Sequence, residues 1–347
     1  MHDSRKSFDK ATGQLAKTDR LDFLRLATSA AGGSFLREGR VGVSRSNDLF
    51  SKEQVVKRVA DFFCGLVLVV LSPAIVAAQT VPPCPQAPTY GNDATAGHVA
   101  KINGISLYYE SYGAGPPLLF IHGNGGSINS TRCQIAYFSR SHRVIVADSR
   151  SHGRSGSGEG RLTFEQLADD LSALLLDLRI DASDVWGHSD GGIVALLLAI
   201  RHPQQVRAMV ASSANLRPDE TALTPSFFKN VRAGAQTAAD MIKAGDRSRD
   251  WTRRKRQLDL MLEEPHIPLS DLRKIAAPTL VIGADADIIP LAHTLEIGTN
   301  IPGAQLFIMP GATHGMPSAE HEFYNMVVAR FLDRQLVRRS GQTQAPR

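Results

Sequence analysis

From about residue 98, short runs of Val, Ile, Leu and Phe alternate with longer stretches in which apolar residues recur every three or four positions. The short runs ISLYYESYG, PPLLFIHG, HRVIVAD, DVWGHS, VRAMVASS, PTLVIGAD and QLFIMPGA read as strands, and FEQLADDLSALLLDL and GIVALLLAI as helices between them. Near-continuous apolar strands alternating with helices predict an α/β fold, a mostly parallel central sheet with helices on both faces. The alternation breaks once. Between Asn215 and Leu272 there is no strand pattern, only polar, helix-compatible sequence such as RAGAQTAADMIKAG and DWTRRKRQLDLML. An insertion between two sheet strands is expected to form a small helical cap over the carboxyl edge, where open sheets hold their ligands. The expected core is therefore 98–214 and 273–336, the cap 215–272, and the remainder, 337–347, a frayed tail. Within the cap, Arg253-Arg254-Lys255-Arg256 reads as a solvated helix face.

The pattern before residue 98 is different. Lys57-Arg58 followed by FFCGLVLVVL, Pro73 and AIVAAQT has the charged, apolar and small-residue parts of a secretory signal, with cleavage expected after Ala78. Gly65 and Pro73 interrupt the apolar run and make it short for a membrane span. Residues 55–78 are thus expected to act as an export signal, 79–97 as a linker, and 1–54 as a non-native or disordered extension preceding a translation start near Val55 or Val56. The mature protein is expected in the periplasm or outside the cell, with no stable membrane association.

Composition changes this picture little. The chain has 347 residues and a formal net charge of +5, but residues 1–58 hold 12 Lys and Arg against 7 Asp and Glu, leaving 27 of each sign in the remainder. A balanced body argues against nucleic acid as a partner. Cys64 lies in the signal segment, leaving Cys84 and Cys133. Two cysteines define no disulfide framework and no metal-ligand spacing, so their pairing stays open and neither a metal nor a cofactor is expected.

Candidate chemistry sits at the strand ends. Gly187-His188-Ser189-Asp190-Gly191 falls where a buried strand stops and a helix begins, the context in which G-x-S-x-G forms a nucleophile elbow. A serine hydroxyl needs a base held by a third group. His314 follows the last strand, and the acid should end the strand before it, where Asp285 and Asp287 both stand. Asp287 is preferred for its longer reach past the strand end, with Asp285 as a turn former. An oxyanion needs preformed donors. The backbone N–H of Asp190, directly after the serine, and that of Asn124, in the glycine-rich loop HGNGG, are the candidates.

Taken in order, HGNGG, DSRSHGRS, GHSDGG, the D-x-D-x-x-P loop and GATHG resemble the α/β-hydrolase family over residues 98–335. The Asp after the nucleophile and the segment ANLRPDE resemble its valacyclovir hydrolase-like (biphenyl hydrolase-like) group. Two positions depart from that pattern: His188 stands where the group usually has Trp, and Ser151 where it usually has Gly. The resemblance implies a serine hydrolase cleaving carboxylic esters of small molecules, with C–C, thioester, lactone or amide bonds as alternatives for the same triad and a non-catalytic binding protein as a further one. It also implies that the Asp190 carboxylate pairs with cationic substrates such as amino-acid esters; the residues themselves allow equally that it only braces the elbow.

Overall fold

The computed structural model describes residue 84 and residues 89–343. The expected extension, the signal segment and residues 79–83 and 85–88 of the linker lie outside the described residues. Among the described residues, no helix is long and apolar enough to cross a membrane.

Eight strands form one sheet: β1 (Gly97–Ile102), β2 (Ile105–Tyr112), β3 (Pro117–Ile121), β4 (Arg143–Ala147), β5 (Ser183–His188), β6 (Val206–Ser212), β7 (Thr279–Ala286) and β8 (Gln305–Thr313). Their order is β1-β2-β4-β3-β5-β6-β7-β8. The β1–β2 and β2–β4 pairs are antiparallel and all others parallel. The helices are α1 (Arg132–Phe138), α2 (Phe164–Asp177), α3 (Asp190–Arg201), α4 (Pro225–Lys243), α5 (Trp251–Glu263), the single turn α6 (Leu269–Leu272), α7 (Leu291–Asn300), the single turn α8 (Met316–Ala319) and α9 (His321–Thr343).

The central strands are apolar on both faces because both are covered. In β3, Leu119 and Ile121 join one core with Leu167, Leu171 and Leu174 of α2 and Ile193 of α3. Leu118 and Phe120 point the other way, into a second core with Ile135 and Phe138 of α1 and Tyr324 and Phe331 of α9. The period-2 alternation of the pleat thus feeds two layers, each large side chain contributing about 1.5–3 kcal/mol of burial.

Two segments differ from expectation. The strand β1, GHVAKI, was not among the strands read from the sequence, although all of it but Gly97 falls within the expected core. It is an edge strand paired only with β2, and Val99 and His98 face solvent, so it lacks the apolar run that marks the inner strands. Its signal was the Asn103-Gly104 turn, both residues at positive φ, the usual two-residue hairpin pair. At the other end, 337–343 continues α9 instead of fraying. Arg339 reaches back from it to the buried Asp184 carboxylate at 3.1 and 3.2 Å, which gives the added turns a tertiary anchor.

Cys84 and Cys133 form a disulfide, tying the segment before β1 to α1. His321 lies close enough to both sulfurs to complete a three-ligand cluster, but sulfurs bonded to each other offer no thiolate to a metal.

Candidate active site

The sheet ends its parallel strands on one edge, and the loops leaving that edge carry the candidate groups. Ser189 links β5 to α3 at φ 58°, ψ −126°, a conformation that costs a non-glycine residue about 1–3 kcal/mol and persists only when its surroundings enforce it. The enforcement is visible. A Cβ at Gly187 would collide with the Gly191 carbonyl, and one at Gly191 with the Ile121 carbonyl, so the turn closes only with glycine at both places. The Ser189 N–H donates to the Ser212 carbonyl at 2.9 Å, fastening the elbow to the end of β6.

Ser189, His314 and Asp287, separated by up to 125 residues, meet in one relay. His314 Nε2 lies 2.9 Å from Ser189 Oγ and His314 Nδ1 2.6 Å from Asp287 Oδ1. The other carboxylate oxygen of Asp287 accepts the Ser213 hydroxyl at 2.6 Å, and Oδ1 also accepts the Ile289 N–H at 3.3 Å. Burial alone would raise the Asp287 pKa, but the bonds from His314 and Ser213 outweigh it and hold the carboxyl below its ordinary range. An ionised carboxylate on Nδ1 leaves Nε2 free to accept the serine proton. Asp285 takes no part. It is exposed and accepts the Gly311 N–H at 2.9 Å, bracing the end of β8 just before His314.

The two oxyanion candidates flank the serine. Asp190 opens α3, where the first N–H groups of a helix have no intrahelical acceptor and the dipole favours negative charge. Gly123 packs directly on Ser189, and a Cβ there would lie 3.1 Å from that of the serine, which brings Asn124 alongside. Neither N–H has a hydrogen-bond acceptor among the described residues. The loop is set by His122, whose buried ring accepts the Ser149 N–H at Nε2 and so donates from Nδ1 to the Gly123 carbonyl at 2.8 Å. Burial keeps this imidazole neutral, with its pKa below the usual value.

The Asp190 side chain turns away from the serine. Its Oδ2 accepts the Asn124 side-chain amide at 2.8 Å, and the same amide donates to the Gln257 carbonyl of α5 at 2.8 Å. Burial pushes its carboxyl up to about 6, against the lowering effects of Asn124 and His314. Asp190 borders a void of about 10 Å³, room for roughly one water, and is absent from the walls of the main cavity. Ser151 adopts φ 62°, a left-handed conformation that suits glycine best, and its carbonyl accepts Gln257 Nε2 at 2.6 Å.

The main cavity, about 490 Å³, opens above Ser189 and His314. Core loops form its floor, and Phe227, Val231, Leu258 and Met261 of the cap form an apolar wall. Sequence reasoning missed three contributors. Ser213 holds the acid. His188 lies in the cavity wall with its ring 4.8 Å from that of His314, and burial followed by the charge of His314 pushes it down to about 3. Arg254, read as a solvated cation, also lines the cavity. No signal in the sequence separates it from its three basic neighbours.

The α/β hydrolase fold family model matches residues 116–261. Serine hydrolase BPHL of Mus musculus is 27% identical over 267 residues, covering 73% of this chain and 91% of that protein. A protein of Azorhizobium caulinodans named "Putative carbamate hydrolase RutD" is 35% identical over 113 residues, 33% of this chain and 43% of that one, so the chain spans less than half of that relative's length. Among solved structures, the enol-lactonase from Burkholderia xenovorans LB400 is similar with a TM-score of 0.56 at 21% identity, covering 68% of this chain and 100% of that one, a likeness of fold. With this sheet order and the strained elbow at Ser189, the chain has the α/β-hydrolase fold.

Proposed function

We propose that this hydrolase-fold protein is a serine hydrolase cleaving carboxylic esters of small molecules. The observation that carries the reading is the unbroken relay from Ser189 Oγ through His314 to Asp287 at the floor of a cavity of ligand size. His314 takes the Ser189 proton as Oγ attacks the ester carbonyl; the resulting oxyanion is held by the N–H groups of Asn124 and Asp190. Collapse expels the alcohol with the proton from His314 and leaves an acyl-enzyme on Ser189. Water, activated by His314, then releases the acid. No step needs a metal or a redox cofactor.

The test is a panel of p-nitrophenyl esters of graded chain length, with a p-nitrophenyl carbamate included because one relative is named for carbamate hydrolysis. It is run beside labelling of Ser189 by a fluorophosphonate. Turnover together with labelling supports the reading. No turnover and no labelling would leave a binding protein on a hydrolase fold. We also propose export to the periplasm or beyond, supported by the Cys84–Cys133 disulfide, a bond that persists in oxidising compartments. Mass spectrometry finding residues 1–54 on the mature protein would overturn it.

A further inference from the structure

The basic run of α5 divides in two. Arg253 pairs with Asp250 at 3.4 Å and donates to the Gly153 carbonyl at 2.7 Å. Lys255 pairs with Asp259 at 2.7 Å, and Arg256 donates to the carbonyls of Gly158 and Gly160 at 3.0 and 2.7 Å. Arg254 alone turns inward. It lines the cavity beside Asn124, half-buried, in room left by Gly125, where a Cβ would lie 2.9 Å from its guanidinium. Its contacts are long and go to neutral amide oxygens: Asn124 Oδ1 at 3.4 Å and Gln257 Oε1 at 3.3 Å. Among the described residues no carboxylate forms an ion pair with it.

A guanidinium in that position is under-compensated. Burial, and then the neighbouring Arg249, both work against its charge. The nearest acid in the network, Asp190, is already taken by the far end of the Asn124 amide. The cavity histidines His122 and His188 are pushed toward the neutral form by burial, so neither competes for an anion. Five donors in a planar fork, facing a cavity with only weak neutral acceptors, match a carboxylate. The apolar wall of Val231, Leu258 and Met261 beside it suits a short methylene chain.

We propose that Arg254 is a specificity-determining residue of the cavity, binding a free carboxylate carried by the substrate, so that half-esters of short dicarboxylic acids are preferred over neutral esters. The proposal rests on the serine hydrolase reading. The carboxylate does not react: water cleaves the ester through Ser189, giving a dicarboxylate, an alcohol and a proton, while the Arg254 fork holds the remote end.

The experiment compares kcat/KM for p-nitrophenyl hemiglutarate with that for p-nitrophenyl pentanoate, a neutral ester of similar length, in the wild type, Arg254→Gln and Arg254→Lys. The expected wild-type ratio is about 10- to 100-fold in favour of the half-ester, as one charge-assisted bidentate pair supplies. Arg254→Gln brings the ratio to about one, and Arg254→Lys, a point charge without the fork, leaves it between. Any loss transmitted through Asn124 to the oxyanion loop acts on both esters and cancels in the ratio. A wild-type ratio of one or below, or a ratio unchanged in Arg254→Gln, overturns the proposal. Should that variant not fold, wild-type pentanoate turnover decides: free glutarate must inhibit it more strongly than glutaramide does, and equal inhibition rejects the proposal. If pentanoate turns over and Ser189 is labelled while the ratio is one, the hydrolase reading stands and only Arg254 recognition falls. With neither turnover nor labelling, both fall.

Discussion

The floor and the roof of the cavity are built by different rules. The floor is backbone. Ser189 is held at a strained φ by two glycines that admit no side chain, and the candidate oxyanion donors are main-chain N–H groups. The roof, α4 and α5, rests on side chains: Arg253, Arg256 and Gln257 reach carbonyl oxygens of the 151–160 loop, and Asn124 reaches back to the Gln257 carbonyl. A backbone-built floor resists substitution because any change moves the chain itself. A roof held by a few side-chain bonds can exchange its lining without moving the floor, so under the proposed serine hydrolase reading reactivity belongs to the floor and selectivity to the roof.

The comparison breaks first at Ser189. On the proposed reading, replacing it with Ala removes the nucleophile and little that supports the fold, so kcat should fall by at least about 10⁴-fold while thermal unfolding stays nearly unchanged. Retained activity in Ser189→Ala would end the argument for the floor. Next in size is the acid. Asp287→Asn should cost about 10³- to 10⁴-fold in kcat through loss of imidazolium support, whereas Asp285→Asn, which only loosens the end of β8 at Gly311, should cost less than about tenfold. The opposite ranking in steady-state kinetics would exchange their roles.

A smaller effect concerns Asp190, whose carboxylate accepts the Asn124 amide that joins floor to roof. Its folded pKa of about 6 lies above the ordinary carboxylate value, so the folded state binds the proton more tightly than the unfolded chain. As pH rises from about 4 to 6 this group therefore lowers stability, by up to about 3 kcal/mol, and the full cost persists above pH 6. Asp190→Asn keeps an oxygen for the Asn124 amide without the charge. It should be more stable than the wild type at pH 7.5, with the difference vanishing near pH 4 in urea titrations. Equal stability at pH 7.5 would mean that the buried carboxylate is fully compensated. The smallest effect is expected at the roof: Arg253→Ala combined with Arg256→Ala removes the bonds to Gly153, Gly158 and Gly160. KM should rise about tenfold with kcat within about threefold, since hydrogen bonds to a half-exposed loop contribute about 0.5–1.5 kcal/mol each. A fall in kcat equal to that in Ser189→Ala would show that the roof takes part in the chemistry.

What the sequence determined by itself was the part of the molecule governed by local rules. Apolar strands buried on two faces announce themselves by composition, and a serine between glycines at a strand-to-helix junction announces a strained turn, because few other residues fit there. The chain order of serine, acid and histidine followed from the same strand ends. The sequence preferred Asp287 to Asp285 without showing the contact; the structure sets Asp287, one residue past the end of β7, against His314, while Asp285, still within β7, accepts the Gly311 N–H. The disulfide was equally beyond reach, because two cysteines 49 residues apart pair only when a turn and α1 bring them together. The edge strand β1, half polar and paired on one side, lacked the burial that makes its neighbours legible. Arg254 shows the limit most clearly. It sits among four consecutive cations on one helix, and the direction each side chain takes is decided by how the cap rests on loops a hundred residues away. Periodicity records which face of a helix is apolar; it carries no record of what lies opposite a polar one.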